Sequence, residues 1–404
     1  MNKKMGALLL SGLMIGPILG SGIIILPPAV YAIAGDYAIF AWVIMLALSM
    51  LFAHLFGKLS VMIPGDSGVA LAVERAFGTH IKNLAAIFFA LAVCFGPVAV
   101  MATAGHYFEL LTNFNELWLT GICLLFVYLL LTQNVTAVGK LAFAMSSFIV
   151  ITLFAGSAYT LLYTDGTLSL GSITVIEFGQ SLLLLFWALI GWEVVGNYSL
   201  EVRDPERTLP RAILISFTVI ASVSLIVAMA FQWGNHTMSG LLTGLFGSLA
   251  TPLISTITII LCISTVLLVI GAVSRLIADQ AKQGVLPKWL SHKNKKQVPA
   301  RALTFMFIIH VCMFVLYAAN IISISHLVAI SNAFFLCNAL LGVLACMRIF
   351  SSSFLKTGAA ILVICFFSIL LFSSPIILGV IALVCFYFIR LQRMTMKKKM
   401  PMQQ

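Results

Sequence analysis

Two stretches of this sequence hold residue types that could bind a ligand inside an apolar protein. The first is Gly16-Pro-Ile-Leu-Gly-Ser-Gly-Ile-Ile-Ile-Leu-Pro-Pro28, within an apolar run from about Leu8 to Ala34. Gly16, Gly20 and Gly22 weaken a helix and Pro17 removes a backbone donor, so the pattern predicts an interrupted membrane helix. Unwound backbone at bilayer depth costs several kcal/mol per unsatisfied polar group, and it persists only where protein, water or a ligand supplies partners. The break is a candidate binding site; a small-residue stripe for close helix packing is the competing reading. The second stretch is Phe186-Trp-Ala-Leu-Ile-Gly-Trp-Glu-Val-Val-Gly196, in which Gly191 and Gly196 again weaken a helix. Its Glu193 is the only carboxylate in the hydrophobic part of any span. An ionised carboxylate there costs about 2.5–3.5 kcal/mol, so Glu193 must face water, carry a proton or be paired. A proton-responsive role and a structural hydrogen-bonding role both fit it.

The elements that position these residues are membrane helices. Hydrophobic residues make up 62% of the 404 residues and charged residues only 9%, far below the roughly 25% charge of a soluble domain. Segments of spanning length occur at about 6–33, 37–63, 83–112, 117–135, 138–163, 173–199, 211–233, 248–280, 302–320, 324–349, 355–373 and 375–391. This is an all-α, polytopic pattern of twelve spans. Met1-Asn-Lys-Lys before an apolar run resembles a signal peptide, but the run is about twice a typical signal core, so a retained first helix is expected.

Basic residues orient the chain. With the N-terminus inside, Lys3 and Lys4, Lys58 to Lys82, Lys140, Arg203 to Arg211, Arg275 to Arg301, Arg348, Lys356 and Arg390 to Lys399 all fall on the cytoplasmic side. The opposite loops carry Asp36, Glu109, Glu116, Asp165 and Glu177. Both termini are therefore expected in the cytoplasm. The net charge of +11 follows from orientation against an anionic leaflet and is no sign of nucleic acid. The eight cysteines fall within spans without metal-ligand spacing, and the seven histidines are scattered; neither set predicts a metal site or disulfide framework.

Along the chain, Pro64-Gly-Asp-Ser-Gly introduces a short amphipathic helix bearing Glu74 and Arg75, expected at the cytoplasmic face. Gly96-Pro97 marks a bend in the third span, and Lys140 reads as a snorkelling anchor. The interrupted spans one and six stand five spans apart. An odd repeat inverts its second copy, so residues 1–163 and 173–349 are expected as inverted five-helix repeats of the LeuT type, their breaks meeting near the midplane. Residues 355–391 would form two peripheral helices and 392–404 a basic tail.

Several motifs together resemble the amino acid–polyamine–organocation superfamily of amino acid permeases. They are Gly20-Ser-Gly-Ile, Pro64-Gly-Asp-Ser-Gly with Glu74-Arg-Ala-Phe-Gly78, Ile190-Gly-Trp-Glu193, Asp204-Pro-Glu-Arg-Thr-Leu-Pro-Arg-Ala-Ile213, and Arg275 with Gly284-Val-Leu-Pro-Lys-Trp289 and Val298-Pro299. The chain length, Pro97 and Asp204-Pro-Glu-Arg look most like the bacterial exporters of methionine and branched-chain amino acids. The resemblance implies a multi-pass protein of the bacterial inner membrane that moves amino acids by alternating access, outward or by exchange or uptake. It implies that N–H groups around Gly20, Ser21, Gly22 and Ile23 take the substrate α-carboxylate, while carbonyls near Ile18, Phe186 and Leu189 take the α-ammonium. By similarity with the arginine/agmatine antiporter, Trp187 would cover the substrate and close the outer path, and Glu193 would sense protons; a packing role for Trp187 is the alternative.

Coupling departs from better-defined relatives. Met145-Ser-Ser-Phe-Ile-Val-Ile-Thr-Leu153 lacks the lysine that stands in for sodium in proton-coupled members. Ser264 and Thr265 offer hydroxyls where sodium-coupled relatives supply ligands, although such hydroxyls often bond their own backbone. Proton coupling, sodium symport and uncoupled exchange all stay open, and no other cofactor is expected. No second buried acid or buried base appears, which favours a neutral, apolar substrate. No filter ring for a channel and no nucleophile or metal set for an enzyme is visible. The expected partners are the amino acid substrate and the lipid bilayer, as monomer or homodimer.

Overall fold

The first apolar run does not form one helix. In the computed structural model, which describes residues 6–63, 68–132, 138–192, 202–234, 236–296 and 298–399, it divides into α1 (Ala7–Leu19) and α2 (Gly22–Ala34). A single turn at Gly35–Tyr37 leads into α3 (Ala38–Met62). The helices that follow are α4 (Gly68–Phe77), α5 (Thr79–Thr112), α6 (Glu116–Leu131), α7 (Val138–Leu162) and α8 (Val175–Leu185). The rest are α9 (Pro205–Trp233), α10 (Gly240–Phe246), α11 (Ala250–Lys282), α12 (Ala300–Ala318), α13 (Ile324–Ile349), α14 (Ser353–Leu370) and α15 (Pro375–Lys399). No strand element occurs among the described residues.

Among the described residues, seven stretches are long and apolar enough to cross a membrane: Gly22–Met62, Thr79–Thr112, Pro205–Trp233, Gly240–Lys282, Ala300–Ala318, Ile324–Ile349 and Ser353–Leu370. Shorter apolar helices occupy Ala7–Gly16, Glu116–Leu131, Phe148–Leu162, Val175–Leu189 and Pro375–Arg390. Large apolar side chains point outward on several of them, with Trp118 at 71%, Ile376 at 79% and Leu383 at 71% exposure. Water would not tolerate a surface of this kind, whereas lipid does. The chain is a multi-pass integral membrane protein.

α5 runs through the middle of the bundle. It packs against α11, α13 and α6, while α1 packs on α9 and α2 on α8 and α9. Its 34 residues would extend about 51 Å, well beyond the roughly 30 Å hydrocarbon core. α8 begins with a reciprocal cap: Glu177 N donates to Thr174 Oγ1, and Thr174 N donates to Glu177 Oε2. The connection before it is pinned to the end of α2. Ser169 N donates to Asp36 Oδ2 at 2.7 Å, Tyr37 Oη to the Gly171 carbonyl at 3.0 Å, and Gln232 Nε2 to the Asp36 carbonyl at 3.1 Å.

The expected short helix α4 forms, and it packs against α5 and α13. Of its leading turn, Pro64 to Ser67 lie outside the described residues. Lys82 of α5 is 2.7 Å from Glu74 Oε2, Thr79 Oγ1 donates to Glu74 Oε1, and Arg348 of α13 sits 5.5 Å above the Phe77 ring. The Lys82 hydrogen bond holds the Glu74 carboxyl below its ordinary range. A depressed carboxylate stabilises the folded state above its unfolded pKa, and that contribution is lost as pH falls through the folded value. Hydrogen exchange of α4 amides is therefore expected to accelerate relative to α5 below about pH 4, and Glu74→Gln should remove that acid-dependent step.

Candidate functional site

The first break is made by glycine geometry. α1 stops at Gly20, whose φ of +40° disfavours a side chain and whose N–H donates to the Gly16 carbonyl at 2.8 Å. Ser21 then starts α2, its carbonyl accepting from Ile24 N and Ile25 N, each at 3.1 Å. The opening N–H groups of α2 have no intrahelical acceptor and stand at the positive end of a helix dipole. Ser21 is fully buried, and its Oγ has no hydrogen-bond partner among the described residues.

The second break follows α8. The chain tightens into a 3₁₀ turn over Phe186–Leu189 and becomes extended at Ile190, with ψ 127°. The carbonyls that this transition would leave short of donors are met from α13. Asn332, wholly buried, places Nδ2 2.8 Å from both the Leu183 and the Leu184 carbonyls. Its neighbour Ser331 donates to the Ala92 carbonyl of α5 at 2.8 Å. Beyond the turn, Trp192 is fully buried and its Nε1 donates to Ser49 Oγ of α3 at 2.8 Å.

The two breaks touch. A Cβ placed on Gly191, which has φ +120°, would lie 2.9 Å from Ile18 Cγ1. A Cβ on Gly22 would lie 3.0 Å from Trp187 Cδ1, and one on Gly96 of α5 would lie 2.8 Å from Trp187 Cη2. The indole is thus wedged between two glycines on different helices, with Phe335 edge-on at 6.2 Å. Beside it is a cavity of about 60 Å³ lined by Ile18, Gly20, Ser21, Trp187, Thr265 and Phe335, among others, with Val93, Gly96, Pro97, Val100, Ile190, Val266 and Val269 completing a mostly apolar wall. The space has room for water and lies directly against the indole of Trp187.

Of the residues singled out in the sequence, Ile18, Gly20, Ser21, Trp187 and Thr265 line the cavity, and Gly22 bears on it through the indole. Ile23 faces a second, smaller apolar space with Gly16, Leu19, Gly20, Ile149, Val150, Leu153, Val223 and Leu261. Phe186 and Leu189 are buried, the Phe186 ring packing 5.2 Å from Phe366. Ser264 is half-buried and lines neither space. Glu193, and the side chains of Lys140 and of Met145 to Ser147, lie outside what is described. Sequence reasoning missed Ser331, Asn332, Phe335 and His310. A polar pair inside the apolar run of α13 was the available signal for the first two. Elsewhere, His106, Glu109 and Glu116 gather with ligand atoms within 4.8 Å of one another, where a helix-linking ion pair between His106 and Glu116 forms at 3.4 Å.

The arrangement is that of the LeuT-like fold. A manganese transporter from Eremococcus coleocola superposes with a TM-score of 0.61 over 94% of this chain and 92% of its own, at 12% identity. Residues 6–389 match the family described as Amino acid permease, and the chain belongs to that family. It is 25% identical to the serine/threonine exchanger SteT of Bacillus subtilis over 78% of this chain and 76% of the relative. It is 23% identical to the L-methionine/branched-chain amino acid exporter YjeH of Escherichia coli, covering 83% of each. A cadaverine/lysine antiporter of Escherichia coli is 23% identical over 74% of this chain and 72% of its own.

Asn332→Leu removes both donors from two buried carbonyls, so it is expected to destabilise the protein by about 2–4 kcal/mol. Ser331→Ala removes one bond and should cost about 1 kcal/mol. Unfolding of the purified variants in detergent checks both values and their order.

Proposed function

We propose that this chain is a secondary transporter of neutral, apolar L-amino acids that works by alternating access across the bacterial inner membrane. One observation carries the reading: an apolar cavity lies where two interrupted helices meet, and a wedged indole covers it. In this reading the α-carboxylate is taken by N–H groups of Ser21, Gly22 and Ile23, favoured by the helix dipole and the spare Ser21 Oγ. Backbone carbonyls near Ile18 and the Phe186–Leu189 turn take the α-ammonium. The side chain rests on Val93, Pro97, Val100, Val266 and Phe335.

Twelve spans, with residues 1–163 and 173–349 as inverted repeats and both termini cytoplasmic, give the two halves that would rock around this point. The described lining holds no carboxylate, which favours the substrates named for the exporter and the exchanger over the diamine and lysine named for the antiporter. Export fits the branch that the motifs resemble, and exchange is the second reading. The space between α1, α2, α7 and α11 is walled by Ile149, Leu153 and Leu261, not hydroxyls. That lining supports proton-linked or uncoupled movement over sodium coupling through Ser264 and Thr265.

Reconstituted protein is expected to exchange labelled methionine or leucine across vesicles, independently of a sodium gradient; sodium-driven uptake, or preference for cadaverine, contradicts the proposal. Gly22→Leu should abolish binding with insertion retained, because its side chain meets the indole. Trp187→Leu should weaken or uncouple transport at normal expression; wild-type kinetics would return Trp187 to a packing role. Glu193→Gln fixes a neutral side chain and is expected to flatten the transport profile between about pH 5 and 8, while an unchanged profile removes Glu193 from proton sensing.

A further inference from the structure

Pro97 stands inside α5. A proline has no N–H, so the carbonyl four residues earlier, that of Val93, loses its helical donor. Val93 and Pro97 both line the central cavity, so the orphaned carbonyl lies in the stretch of α5 that forms part of its wall. The structure supplies another donor. His310 of α12, fully buried, brings Nε2 to 2.7 Å from the Val93 carbonyl, and its Nδ1 lies 2.7 Å from Tyr128 Oη of α6. A carbonyl only accepts, so Nε2 carries the hydrogen; in the neutral ring Nδ1 is then the acceptor, and Tyr128 donates to it. Tyr128 is buried as well, edge-on to Phe307 at 4.7 Å.

We infer that His310, oriented by Tyr128, is a specificity-determining positioning residue: it caps the Val93 carbonyl and thereby keeps the substrate cavity wall apolar. Its placement is specific to that task. A proline kink in a membrane helix is tolerated when a neighbour satisfies the freed carbonyl, and an aliphatic residue at 310 could fill the volume without doing so. An uncapped carbonyl at this wall would hold a water or accept from a hydroxyl or ammonium on the substrate. The cavity would then favour polar side chains over apolar ones. The inference rests on the amino acid substrate class proposed above.

The test compares wild type, His310→Leu, His310→Gln and Tyr128→Phe in proteoliposomes, using methionine, leucine and serine as competing substrates. Transport by the wild type tests the substrate class; selectivity of the variants tests His310. His310→Leu is expected to lower the ratio of kcat/KM for leucine over serine about tenfold, mainly through a higher KM for leucine. His310→Gln, which can donate to Val93 and accept from Tyr128, should keep the ratio within about twofold of wild type. Tyr128→Phe should shift it in the same direction as His310→Leu, by about threefold, and decides the question if His310→Leu does not fold. In the wild type, ¹⁵N spectra of histidine-labelled protein should report His310 as the Nε2–H tautomer whatever the substrate. Unchanged selectivity in a folded His310→Leu or Tyr128→Phe protein, failure of glutamine to restore it, or an Nδ1–H tautomer overturns the inference.

Discussion

Backbone polar groups that leave a helix inside a bilayer must find other partners, and the centre of this protein is built around meeting that demand. Each unsatisfied group in hydrocarbon costs several kcal/mol, so a chain with two interrupted helices and a proline-kinked third has to place donors and acceptors opposite each defect. Ser21 turns its carbonyl to two amides of α2. Asn332 holds two carbonyls at the end of α8, and His310 holds the one that Pro97 releases. Beside the cavity, the Ser21 hydroxyl is left without a partner among the described residues, at the point where α2 opens. In the proposed function, the carboxylate of the substrate would complete the set.

Close approach is the second requirement, and glycine supplies it. The Trp187 indole reaches the cavity only because Gly22 and Gly96 present bare backbone on either side of it. The contact ties the break in the first run to α5, while Gly191 lets the second break lie against Ile18. In the proposed cycle, parting these contacts would open the cavity, and a local change of partner at the breaks would become a movement of whole helices. Membrane class, family and fold are settled on broader grounds, through the apolar outward surface, the family match over residues 6–389 and the shared fold.

Much of this was legible in the sequence where the signal is local. Gly20, Gly22 and Pro17 mark the first break by composition, and Gly191 with the 3₁₀ turn after α8 falls in the second stretch that the sequence singles out. The amphipathic α4 was readable because only one face is apolar. The long central helices were different. α5, α11 and α13 are apolar on all sides, so periodicity could not say which residues face the cavity. Val93, Val266 and Phe335 therefore emerged only from the packing. Asn332 and His310 were invisible as partners for another reason. They bond to carbonyls 148 and 217 residues away, respectively, and a carbonyl has no residue type to read.

The most direct measurement of the central claim is an experimental structure of the protein with methionine or leucine bound. The account predicts the carboxylate within hydrogen-bond distance of the Ser21–Ile23 backbone, the side chain against Val93 and Phe335, and Trp187 displaced from its place between Gly22 and Gly96. A substrate bound away from the two breaks, with the indole unmoved, would contradict it.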